Sequence, residues 1–104
     1  MQSIVTEHTN ICAICGRPSE CVHHLIFGNS LRRLADGDNL TLPLCNSCHN
    51  MAQHKICQIH ENPSAEALSK MVGQLAWEKE YYRSDKSKDP ARDEFRKRYG
   101  RSYL

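Results

Sequence analysis

The chain has 104 residues, of which 39% are hydrophobic and 25% charged, and a formal net charge of +2. That describes one small domain with a thin core, and a chain this short gains from a metal staple. No apolar run is long enough for a transmembrane helix. Residues 1–8 lack the basic start and apolar stretch of a secretory signal. A reducing, cytoplasmic setting is therefore expected, with the six cysteines serving as thiols or metal ligands rather than as a disulfide framework.

In chain order, residues 1–10 read as an irregular lead-in. Cys12-Ala13-Ile14-Cys15 is a knuckle closed by Gly16, whose backbone freedom suits the turn. Residues 21–27 read as a strand bounded by Gly28-Asn29. Residues 28–39 read as a loop with one helical turn around Leu31 to Leu34 and a turn at Asp36-Gly37. Residues 40–44 read as a short second strand that lies at an edge or ends at Pro43, because proline cannot donate to a ladder.

The second knuckle, Cys45-Asn46-Ser47-Cys48, should feed a helix starting near Asn46 or Cys48. Asn62 as N-cap and Pro63 at the first helical position predict a helix to about Tyr82. Its apolar stripe, Leu68, Met71, Val72, Leu75 and Tyr82, is expected to pack on the preceding residues. Asp89-Pro90 can open a short helix carrying Phe95 and Tyr99. The division expected is a metal-stapled domain over 1–82 and a basic tail over 83–104.

That tail carries eight Lys and Arg against four acids, a net +4, while residues 1–82 carry −2. A basic end on a nearly neutral body suits a polyanion. In a helix, Arg92, Arg96 and Lys97 would crowd one face toward phosphates, and Arg32 and Arg33 are candidates for the same work between the strands. The bland alternative is a solvated end, or one that packs through Phe95 and Tyr99.

Two C-x-x-C pairs are what a closed tetrahedral zinc site asks for, so Cys12, Cys15, Cys45 and Cys48 are the candidate structural ligands. Cys21 and Cys57 are left over and read as small buried hydrophobes. Cys45-Asn46-Ser47-Cys48-His49 is also a c-type haem attachment string, but the first pair would then have no task.

Around the knuckles stand His23-His24, Asn39 and His49, in that order. The set resembles the HNH endonucleases, whose catalytic element is a ββα-metal finger; the resemblance covers roughly residues 10–60. It implies an α+β fold: a small ββα-metal finger stapled by a four-cysteine zinc site, followed here by an amphipathic helix and a basic tail. It implies hydrolysis of DNA phosphodiesters with 5′-phosphate products, in a phage or mobile-element setting. His24 would be the general base, Asn39 would orient it, and His23 and His49 would hold one catalytic divalent ion (Mg²⁺, Mn²⁺, Ni²⁺ or Zn²⁺). His54 is the candidate third ligand, although five residues after His49 is not one helical face. His60 and His8 are expected as surface or loop residues. A protein partner could supply sequence specificity. The alternative is a zinc-stabilised nucleic-acid-binding or adaptor module without catalysis.

Overall fold

The protein is described by a computed structural model covering residues 2–84 and 90–104. Asp85, Lys86, Lys88 and Asp89, part of the expected charged tail and its helix start, lie outside the described residues. Strand β1 (Cys21–His24) pairs antiparallel with β2 (Thr41–Leu44), setting Cys21 opposite Leu44 and His24 opposite Thr41. Between them runs helix α1 (Leu31–Gly37). Helices α2 (Pro63–Ser84) and α3 (Ala91–Tyr99) follow. This is the mixed α/β architecture expected, with the two strands as its entire sheet among the described residues.

The first strand is shorter than its apolar run because Leu25 and Ile26 leave it to enter the core. The chain then reverses at Gly28 and Asn29, both at positive φ. A seven-residue helix replaces the single turn expected after them. Pro43 costs the sheet little, since a two-stranded sheet is all edge, and its carbonyl accepts from the Ala13 amide of the first knuckle at 2.9 Å.

The helix expected after the second knuckle does not propagate. A single wide π-helical turn, Ser47–Met51, ends at Ala52, whose backbone is extended. The buried Gln58 side chain accepts from the Ala52 amide at 3.0 Å and donates to the His60 carbonyl, folding the chain back on itself. A 3-10 turn, Lys55–Cys57, forms the outer part of this excursion.

Helix α2 begins where Asn62 predicted, with the Asn62 side chain capping the Ala65 amide at 3.4 Å. Its contact face is not the expected one. Leu68, Met71, Leu75 and Tyr82 are exposed, Leu68 by 62%, whereas Ser69, Gly73 and Gln74 are buried and Val72, Ala76 and Trp77 pack against the core. The reason is close approach at Gly73: a β-carbon there would stand 3.0 Å from both Leu25 Cβ and Ile26 Cγ1. The helix docks through its small residues, which turns the large apolar ones outward.

Residues 90–104 belong to the core rather than to a separate tail. Phe95 and Tyr99 are buried with Leu25, Ile26, Ala35 and Leu40, and their rings stack at 4.5 Å. Gly100, at φ +87°, closes α3 in the left-handed cap that glycine favours. Asp38 ties the layers together, accepting from Trp77 Nε1 (3.1 Å), Arg98 Nε (2.7 Å) and the Tyr99 hydroxyl (2.7 Å). No helix among the described residues is long and apolar enough to cross a membrane.

Candidate metal centres and catalytic cleft

The two knuckles converge. Cys12, Cys15, Cys45 and Cys48 bring their sulfurs within 4.8 Å of one another, a four-cysteine group able to hold a metal such as zinc. Turn geometry does this locally: the Gly16 amide donates to the Cys12 carbonyl at 3.0 Å, and the Cys48 amide points at Cys45 Sγ at 3.4 Å.

Four thiols around one point cannot all ionise unaided. Arg17, whose Nε lies 3.3 Å from Cys15 Sγ, pulls the Cys15 thiol down to about 6. Burial pushes Cys48 up to about 12, helped by its hydrogen bonds with the other three thiols. Burial also pushes Cys12 up, but backbone amides outweigh it and leave that thiol lowered. A divalent cation removes the conflict by stabilising every thiolate together. Cys45 and Cys48 thus face the thiols of the first pair.

A second group forms from histidines. His23, His49 and His60 place ligand-capable nitrogens within 4.8 Å of one another. The third imidazole is His60, not His54, which is exposed and caps the 3-10 turn. His60 arrives by backbone pairing: the Ile59 amide donates to the Cys48 carbonyl and the His60 amide to the His49 carbonyl, both at 3.0 Å. Its Nε2 stands 3.0 Å from His49 Nε2. Two nitrogens on one tetrahedral zinc stand about 3.3 Å apart, so the pair is already near ligand spacing.

Each ring has an outer partner on its other nitrogen. His23 Nε2 meets Ser69 Oγ at 2.8 Å, and His49 Nδ1 meets Cys21 Sγ at 3.4 Å. His60 Nδ1 lies 3.6 Å from the Glu66 carboxylate. What remains is His23 Nδ1, a buried nitrogen with no hydrogen-bond partner among the described residues. Burial, reinforced by the neighbouring imidazoles, depresses His23 to about 3 and also lowers His49. Both rings are therefore neutral, the form that ligates metal. An orphan nitrogen beside the imidazoles of His49 and His60 fits a cation.

His24, one residue on along the strand, points to the opposite face as strand alternation requires. Its Nε2 lies 3.0 Å from Asp36 Oδ1, and Arg32 Nε donates to its Nδ1 at 3.3 Å. His24, Arg32, His49 and His60 line one cleft of about 350 Å³, with Val22, Phe27 and Asn50. Arg33 borders the adjoining cavity with His24 and Asp36. Asn39 lies on the other side of His24, in left-handed backbone at φ +59°. Its hydrogen bonds among the described residues are through its backbone, so the partner that orients His24 here is Asp36.

A family model described as a protein of unknown function, DUF968, matches residues 5–81. The chain belongs to the DUF968 family. No curated protein and no solved structure matches it. The DUF968 match spans both clusters and their partners, Ser69 included.

Other candidates fall elsewhere. Arg92 pairs with Glu78 (3.3 Å), Arg96 with Asp93 (2.7 Å) and Lys97 with Glu94 (3.0 Å), so each expected phosphate contact is already engaged with an acid. Cys57 is exposed rather than buried, and Cys21 is half-buried beside His49. Sequence reasoning missed His60, Asp36, Ser69 and Gln58, because nothing local marks them. Only the knuckle-like convergence of residues 48–49 with 59–60 would have shown His60.

Proposed function

We propose that this DUF968 protein is a metal-dependent endonuclease of the HNH type, hydrolysing phosphodiester bonds in DNA. The observation that carries the reading is the shared cleft: His24, held by a carboxylate, opens into the same space as His49 and His60, with Arg32 beside it. The four-cysteine group would hold a structural zinc and keep the knuckles, and therefore His49, in place.

His23, His49 and His60 would hold the catalytic ion. When bound, a divalent ion supplies a Lewis acid for the scissile phosphate and charge stabilisation for the leaving 3′ oxygen. The chain's own residues do the rest. Arg32 Nε can only donate, so His24 carries its proton on Nε2, toward Asp36, and its lone pair on Nδ1. Attraction of the Arg32 guanidinium to a DNA phosphate would uncover Nδ1, which then takes the proton of the attacking water. Asp36 steadies the imidazolium that forms. Arg33 contributes a second phosphate contact at the cleft's edge.

The test is relaxation of supercoiled plasmid by zinc-loaded protein with Mg²⁺, Mn²⁺ or Ni²⁺, beside an EDTA control. Metal-dependent nicking is expected, with 5′-phosphate ends. DNA binding without nicking under any of these ions would leave the other reading, a zinc-stabilised nucleic-acid-binding or adaptor module.

A further inference from the structure

Ser69 stands on α2, beyond the residues that carry the nuclease resemblance, yet it reaches into the imidazole cluster. Its Oγ lies 2.8 Å from His23 Nε2 and 2.8 Å from the Leu25 carbonyl oxygen. A hydroxyl has one hydrogen to give and two lone pairs to receive. The hydrogen goes to Leu25, whose carbonyl lies in the dry core and has no other donor among the described residues. Leaving that buried acceptor unpaired would be unfavourable. Ser69 must then accept from the imidazole, which puts the His23 proton on Nε2 and its lone pair on Nδ1.

Nδ1 is the orphan nitrogen of the cluster. The His23 ring lies 5.2 Å from that of His49 and 5.1 Å from that of His60, centroid to centroid. An inward N–H there would have no acceptor, whereas an inward lone pair is what a cation needs. We propose that Ser69 is a positioning residue: by accepting from Nε2 it fixes the tautomer and rotation of His23, presenting Nδ1 to a divalent ion. This rests on reading the three histidines as an ion site. Gly73, one helical turn further on, makes the reach possible, because the missing side chain lets α2 approach Leu25 closely enough for Ser69 to span both groups.

The test uses the full chain with its four-cysteine site zinc-loaded. Imidazole ¹⁵N chemical shifts of the parent should show His23 protonated on Nε2. Calorimetric titration with Ni²⁺ should then show Ser69→Ala binding about 10–100-fold more weakly than the parent. Ser69→Thr, which keeps the hydroxyl, should restore binding to within a few-fold, and zinc content should be the same in all three. A His23 proton on Nδ1, or equal Ni²⁺ affinity in Ser69→Ala and the parent, would overturn the role of Ser69 while leaving the ion site intact. A parent that takes up no second ion would instead overturn the nuclease reading and the positioning role with it.

Discussion

His60→Ala removes one ring nitrogen from the imidazole cluster and touches no thiol. The expected result is a folded protein that keeps one zinc, loses the second ion and no longer nicks plasmid. His54→Ala should change neither metal content nor nicking, and metal analysis beside the plasmid assay separates the two. His24→Ala should keep both metals and lose roughly 10²–10⁴-fold in cleavage rate, the usual cost of a general base; single-turnover kinetics measure it. His23, His24 and His49 are legible in the chain through their order with Asn39, which carries the HNH resemblance, and the structure groups His23 with His49. His60 was not, because counting along a helix presumes a helix, and the chain abandons helical geometry at Ala52. Asn39 was legible as a special position, but its left-handed backbone says turn rather than side-chain chemistry.

Among the elements, α2 was predicted to within two residues of its end, and yet its orientation was not. Periodicity finds the greasy side of a helix, but the docked side is chosen by how closely the backbones can approach, and here Gly73 and Ser69 win over Leu68 and Leu75. The helices are also locked by Asp38, which gathers donors from α2 and α3 at the end of α1. Asp38→Ala would strand the Tyr99 hydroxyl, on a residue only 3% exposed, and release Arg98. A loss of about 2 kcal/mol is expected, within the cost of an unsatisfied buried donor plus a partly exposed charged bond. Urea unfolding, read as a lower midpoint at unchanged slope, checks it.

For the whole molecule, formal charge and side-chain placement suggest different sites for the proposed DNA contact. Arg92, Arg96 and Lys97 of α3 face acids of α2 or of their own helix, whereas Arg32 lines the cleft and Arg33 the cavity beside it. Neutralising Arg92, Arg96 and Lys97 together should leave the salt dependence of DNA affinity nearly unchanged. Replacing Arg32 and Arg33 by glutamine should flatten it by about 0.9 in log–log slope for each phosphate no longer neutralised. Fluorescence anisotropy at several salt concentrations distinguishes them. Folding should depend on the thiol cluster, since Cys12, Cys45 and Cys48 form a core of their own with Leu44 and Ile59. Cys45→Ser is expected to abolish the cooperative thermal transition, and circular dichroism would record its loss.

The pairing of residues 48–49 with 59–60 frees His60 from the length of the loop before it. A ligand carried four residues along a helix is hostage to phase, for one inserted residue swings it by about 100°. His60 is anchored instead by hydrogen bonds at the neck of an excursion whose outer turn, including Lys55 and Ile56, faces solvent. Lengthening such a loop costs little, about 0.6 kcal/mol for each doubling. The stretch between Gln53 and Cys57 should thus tolerate changes of length while the three imidazoles stay together. A Gly-Ser pair inserted after Lys55 should retain both metals.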